Sequence, residues 1–351
     1  MNKRNPIGYI AAFDGLRAIA IISVMFLHAH FFLGRNGTIG VSVFFTLSGF
    51  LITTLILEEY EKNKKFSLLG FYIRRVMRLF PALYLMLFTV LIYNYIFKTG
   101  TEQLEIYKEI LSSALYLFNI SWSWGWTTQN ILLVHTWSLA IEEQFYLIWP
   151  FLILAALKYK KILSFQFVLL IFIFISLFLK YYYKSNPIHN SIIQESIFIG
   201  CLGALFRWNY PKIHIQPIVS IICLLLIILV GFAPIKIEFN IFNIIAVLTI
   251  ILILSIVNNT NKTLVNRLLS KKHLVFIGKI SYSLYLWHVV IFRLFHWHTT
   301  LPPQITFVTK FLVTFIVASF SWLVLEKRAT RLGRKWSDRL QKKNTAITLP
   351  T

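Results

Sequence analysis

The chain has 351 residues, 57% of them hydrophobic and 14% charged, with a mean hydropathy of +0.69. Recurrent apolar runs of about 20 residues, the length that crosses a bilayer, exclude an ordinary soluble domain and mark an integral membrane protein. The net charge of +22 sits in blocks between those runs, as cytoplasmic loops collect it, so no nucleic acid is expected as a partner.

At the N-terminus, "MNKRNPIGYIAAFDGLR" has no short apolar core ending at a small-residue cleavage site, so the start is expected to be retained rather than removed as a signal peptide. Apolar runs then predict about ten spans, near residues 15–33, 39–57, 79–97, 138–157, 163–183, 192–208, 215–233, 239–257, 274–295 and 304–325. Each must be helical, because a span has to satisfy its own backbone hydrogen bonds in lipid. The expected fold is all-α, a polytopic bundle of about ten transmembrane helices. Basic blocks at Lys3/Arg4, 58–78, 158–161, Arg207/Lys212, 262–279 and from Lys327 onward share one side when both termini are cytoplasmic. The 192–208 span carries Gln194 and Glu195, and the 98–137 segment has room for short helices that dip into the membrane. Cys201 and Cys223 lie in or beside apolar stretches, where they act as small hydrophobes; no disulfide framework and no metal site is expected. The domain reading is a membrane domain over 1–330 and a basic cytoplasmic tail over 331–351, too short for a second folded domain. No internal repeat and no matched pair of Gly/Pro-broken helices is visible, which argues against a carrier.

Four constellations carry chemistry. In "FDGLRAIAIISVMFLHAHFF", residues 13–32, Arg17 and His28 are eleven residues apart. They lie within about 20° of one helix face and about 16 Å apart along the axis. Ionisable groups at membrane depth are costly and by default mark a site; the plain alternative is a snorkelling arginine and an interhelical histidine. His30 turns about 200° from His28 and reads as a bystander. In "FYIRRVMRLFP", Arg74, Arg75 and Arg78 stand just before the third span. They read either as positive-inside charge with anionic lipid or as a phosphate site, since guanidinium binds phosphate oxygens bidentately. In "HTWSLAIEEQFYLIWP", Glu142 and Glu143 open an apolar helix. There they complement the helix dipole, or Glu142 orients and charge-stabilises a histidine; His135, Thr136 or Ser138 could cap that helix. In "SYSLYLWHVVIF", His288 follows Tyr285 by three residues, on one face, as a satisfied interhelical histidine or a substrate contact. "SWSWGW" at 121–126 reads as an interfacial aromatic belt or as a sugar-stacking platform.

At these residues the chain resembles the acyltransferase 3 family of membrane acyltransferases, which includes O-antigen and other exopolysaccharide O-acetylases. The resemblance runs from about residue 10 to about residue 327 and rests on ordered motifs: "FDGLRAIAI" with the R-x10-H spacing, "GVSVFFTLSGFLIT", "FYIRRVMRLFP", "HTWSLAIEEQFYLIWP" and "SYSLYLWH". It implies transfer of an acyl group, usually acetyl, from acetyl-CoA to a saccharide hydroxyl. The family's required R-x10-H pair maps to Arg17 and His28, its R-x-x-R motif to Arg75 and Arg78, and its W-S-L-x-x-E motif to Trp137, Ser138 and Glu142. The family's Glu-Arg-Pro-like end reads Glu326-Lys327-Arg328-Ala329 here, without the proline. Some relatives carry a soluble esterase-like domain after the bundle, and none is expected on this chain.

The expected site therefore has His28 as general base, Arg17 on donor or oxyanion, and Glu142 supporting the base. Arg74, Arg75 and Arg78 take the donor's phosphates, with Trp137, Ser138, Tyr285 and His288 on the acceptor. The expected partners are acyl-CoA, a saccharide or lipid-linked saccharide of the cell surface such as O-antigen or exopolysaccharide, and membrane lipids, at a bacterial inner membrane. A peptidoglycan sugar, a glycolipid or a small metabolite as acceptor stays open. So do a transporter of a lipid-linked saccharide and a non-catalytic membrane protein, which would tolerate loss of His28.

Overall fold

The computed structural model describes residues 6–127, 132–182, 194–211, 215–236, 241–259 and 263–346, and among these no residue is in a strand. The helices are α1 (Ala11–His28), α2 (Ile39–Asn63), α3 (Leu68–Phe97), α4 (Gly100–Ala114), α5 (Phe118–Ser123), α6 (Thr136–Lys158) and α7 (Ile162–Tyr182). They continue with α8 (Glu195–Asn209), α9 (Pro217–Gly231), α10 (Ile241–Asn258), α11 (Leu264–Leu269), α12 (Lys272–Lys279), α13 (Ser281–His298), α14 (Pro303–Ser321) and α15 (Lys327–Ala346).

The all-α membrane fold is as the sequence predicts. Among the described residues, seven helices are long and apolar enough to span a membrane, or eight if α12 and α13, bent by 67°, form one span. Of the other predicted spans, 192–208 forms the 15-residue α8 and 215–233 the 15-residue α9, both shorter than the roughly 20 residues a span needs. The segment over 98–137 does contain short helices, α4 and α5. The 183–193 part of one predicted span boundary lies outside the described residues.

The chain divides into two compact units, one made of Met1–Lys62 and Ile141–Ser281, the other of Asn63–Ala140 and Tyr282–Thr351. In the first, α1 packs on α11 and α12, α8 on α7 and α10, and α9 on α10. Trp149 of α6 is buried and its indole N–H donates to Thr53 Oγ1 of α2 at 2.8 Å. Helix α7 presents Phe167, Val168, Ile171, Phe174 and Phe178 outward, the apolar exterior that lipid stabilises. In the second unit, α3 packs on α4 and on α15.

Two boundaries move for physical reasons. Helix α3 starts at Leu68, well before the predicted 79. Ser67 caps it by accepting from the Gly70 N–H at 3.1 Å, and the arginine-rich first turns are helical although too polar to register as span. Helix α1 ends at His28, before the predicted 33; His30 follows with φ +55°, so its helical placement beside His28 does not hold. The predicted domain boundary at 330/331 falls within α15, which continues α14 through a π-helical turn at Trp322–Glu326.

Candidate active site

In the first unit, the start of α1 is pinned by backbone contact. A Cβ on Gly278 of α12 would lie 1.9 Å from the Asp14 carbonyl oxygen, and one on Gly15 would lie 2.0 Å from the Leu269 carbonyl oxygen. Only glycine permits that approach. The contact fixes Asp14 and the residues one turn on. Arg17 donates from a terminal guanidinium nitrogen to Asp14 Oδ1 at 2.8 Å, and Tyr9 donates to Asp14 Oδ2 at 2.8 Å. Burial, then the hydrogen bond and charge of Asp14, push the Tyr9 hydroxyl up to about 12, with Arg17 opposing. Tyr9 is thus a fixed donor at neutral pH, and Arg17 is a half-buried cation held by a local carboxylate.

His28 is the last residue of α1 and half-buried. Its Nδ1 lies 3.1 Å from the Val24 carbonyl oxygen one turn back. That acceptor calls for Nδ1–H, so the neutral ring carries its lone pair at Nε2. Arg17 and His28 share one helix, as the spacing predicts. Glu142 accepts from Ser48 of α2 and from Tyr146 one turn further along α6, and the Tyr146 hydroxyl oxygen lies 3.1 Å from Ser48 Oγ. Among the described residues, the hydroxyls of a serine and a tyrosine, rather than a histidine, are the hydrogen-bond partners of this carboxylate.

In the second unit, the arginine cluster lies on the first turns of α3. Arg74 donates to Ser337 Oγ of α15, Arg75 lies over the Phe71 ring at 5.5 Å, and Arg78 is exposed. Tyr285 donates to the His135 carbonyl at 3.0 Å, and its hydroxyl oxygen is 2.6 Å from Ser138 Oγ. His135 Nε2 faces the Leu286 carbonyl at 3.0 Å. His288 Nδ1 faces the carbonyls of Tyr285 at 2.7 Å and Leu284 at 3.0 Å. The two imidazole centroids are 5.5 Å apart. Of the predicted acceptor residues, Ser138, Tyr285 and His288 therefore come together in one buried cluster, and Trp137 sits beside it on α6. Glu326 is buried and accepts from Ser283 and Ser321, which gives the motif without proline a place in the core. Trp124 and Trp126, after α5, are exposed.

Sequence reasoning missed Asp14, Tyr9, Ser48, Tyr146 and the place of His135 in the cluster. Asp14 with Arg17 and Glu142 with Tyr146 stand three and four residues apart on helices, a spacing that was there to be read. Ser48 and His135 meet partners about a hundred residues or more away, and no local spacing reports that.

The family model described as an acyltransferase domain matches residues 10–326. The chain is 31% identical to the peptidoglycan O-acetyltransferase OatA of Listeria monocytogenes over 93% of its own length and 56% of that protein's. It is also 31% identical to the O-acetyltransferase OatA of Staphylococcus aureus strain MRSA252, over 96% and 60% of the two lengths. The same protein of strain COL gives 31% over 93% and 58%. The chain thus spans less than two thirds of the curated relatives it matches. No solved structure matches it. With its apolar helices, the match to these relatives makes it a multi-pass bacterial membrane protein.

Proposed function

Because the chain belongs to the acyltransferase domain family, we propose that it is a membrane O-acetyltransferase that moves acetyl from acetyl-CoA to a hydroxyl of a cell-surface saccharide. The relative named for peptidoglycan puts a peptidoglycan sugar ahead of O-antigen or exopolysaccharide as the acceptor. The observation that carries the reading is His28 at the end of α1, its Nδ1–H directed to Val24 O and Arg17 three turns before it.

In the proposed reaction, Nε2 of His28 takes the proton of the acceptor hydroxyl as its oxygen attacks the thioester carbonyl. Positioned general bases of this kind contribute about 10²- to 10⁴-fold. The carbonyl electrons move onto oxygen, and a fixed cation such as Arg17 stabilises that oxyanion. Collapse of the tetrahedral intermediate breaks the C–S bond. The thiolate leaves and takes up the proton, giving the acetyl ester and free CoA. Arg75 and Arg78 take the donor's phosphates, and Glu142, fixed by two hydroxyls, holds the start of α6 in place.

The test is acceptor-dependent release of free thiol from acetyl-CoA by the full chain in nanodiscs, with muropeptides, lipid-linked precursors and O-antigen fragments as acceptors and ester formation followed by mass. Thiol release coupled to an acetylated sugar is expected. Movement of a lipid-linked saccharide across the bilayer without thiol release would contradict the proposal and favour a transporter.

A further inference from the structure

Helices α14 and α15 with the turn between them run as one helix, of which Pro303–Leu340 is 38 residues. At 1.5 Å per residue that is about 57 Å, against about 30 Å of hydrocarbon. Helix α3, with 30 residues, is about 45 Å long and overshoots as well. The surplus turns of both are the arginine- and lysine-rich ones, and they pack on each other. A Cβ on Gly333 would lie 2.7 Å from Met77 Cβ, and one on Gly70 would lie 2.7 Å from Ser337 Oγ. Gly333 thus meets Met77 while Ser337 meets Gly70, so the two helices are antiparallel.

That pairing sorts the side chains. Taking Met77 and Gly333 as the facing positions, Arg74, Arg78 and Arg75 lie about 60° to 160° round α3 in the sense of advancing residues. Arg334, Lys327 and Arg331 lie about 100° to 160° round α15 in the same sense. In an antiparallel pair, equal senses of rotation bring residues to the same side. Leu69, Val76 and Phe80 of α3 and Leu332 and Trp336 of α15 lie in the opposite sense, on the other side. One side of the pair is basic beside the seam; on the other, apolar residues lie nearest the seam, with Arg328, Lys335 and Arg339 of α15 further round. Lys327, Arg331, Arg334 and Arg78 are exposed, and α15 sets only Asp338 against them. Arg74 braces the two helices through Ser337 Oγ.

We propose that this basic side binds the 3′-phospho-ADP end of the acyl donor, with Lys327, Arg331 and Arg334 of α15 sharing its phosphates with Arg75 and Arg78 of α3. This rests on the reading of acyl-CoA as donor. A ligand with three phosphates needs more than two guanidinium groups to offset its charge, and a two-helix cleft supplies cations from two directions, as bidentate phosphate recognition requires. Helix α15 is then a wall of the donor site rather than a detached tail.

The test is equilibrium binding of CoA and of pantetheine, which lacks the nucleotide, to the full chain in nanodiscs of neutral lipid. Wild type is compared with Arg331→Gln/Arg334→Gln and with Lys335→Gln/Arg339→Gln, which removes equal charge elsewhere on α15. The first variant is expected to bind CoA at least tenfold more weakly with pantetheine unchanged, and the second to match wild type. Arg331→Lys/Arg334→Lys, which keeps charge and fold, should fall between. Equal CoA affinity for wild type and the first variant, or equal loss in both double variants, would overturn the inference and leave acyl-CoA as donor. No CoA binding by wild type would overturn the donor reading itself and this inference with it.

Discussion

Helices α1 and α13 each carry a histidine whose Nδ1 is directed to a carbonyl one turn back, yet the two rings have opposite surroundings. His28 closes α1 half-buried, with one backbone carbonyl at 3.1 Å. His288 is 0% exposed, directed to two carbonyls and placed against His135, Tyr285 and Phe292. A base must reach its substrate. A ring enclosed on every side by its own chain is suited to holding helices in register. The difference suits His28 to the proton transfer proposed for it and His288 to packing, though the sequence pointed to both.

The largest effect is expected at His28. His28→Gln should lower turnover of acetyl-CoA by about 10²- to 10⁴-fold with thermal unfolding little changed. Retained turnover would break the assignment. His288→Ala should act the other way, destabilising by roughly 2–4 kcal/mol through the cavity and the exposed carbonyls. Its turnover per folded molecule should stay within about tenfold of wild type. A folded His288→Ala protein with no turnover would move the chemistry to the buried cluster.

Substitutions that loosen the frame should come next. Gly278→Ala puts a methyl group 1.9 Å from the Asp14 carbonyl oxygen and should destabilise by roughly 1–3 kcal/mol as α1 and α12 separate. If the Asp14–Arg17 pair matters, turnover should fall further than unfolding alone explains. Glu142→Gln keeps the shape but weakens two hydrogen bonds to a carboxylate, and a loss of turnover of about tenfold is expected.

The smallest effect concerns α4. Glu109 is 0% exposed and accepts from the Leu133 N–H at 3.0 Å. Burial raises its carboxyl to about 8, with Glu105 adding and the Leu133 bond and Arg293 opposing. The folded protein therefore holds a proton there that the unfolded chain releases near the ordinary carboxylate value of 4.5. Stability is full below that value and is lost as pH rises toward 8. Glu109→Gln should flatten this slope and raise the unfolding temperature at pH 8 by roughly 2–4 °C, with turnover unchanged. An unaltered slope between pH 5 and 8 would show that Glu109 does not govern it.

The fold was legible wherever hydropathy alone decides it. Apolar runs located α1, α2, α6, α7, α10 and α14 because lipid-facing residues such as Phe174 and Phe178 need no partner from elsewhere in the chain. Hydropathy failed where a polar turn is held by packing. The first turns of α3 are stabilised by the Ser67 cap and by α15, and neither leaves an apolar signature. Arg17 and His28 were legible because a helix converts a spacing of eleven into a shared face. The hydroxyls on Glu142 and the His135–His288 contact were not, since they depend on tertiary packing between distant helices.

The central claim is that His28 takes the proton of the acceptor in acetyl transfer. The direct test follows free thiol from acetyl-CoA, with and without saccharide acceptors, for wild type and His28→Ala in nanodiscs at matched folded concentration. The account predicts acceptor-dependent release by wild type and loss of about 10²-fold or more in the variant. Undiminished release by His28→Ala would contradict it.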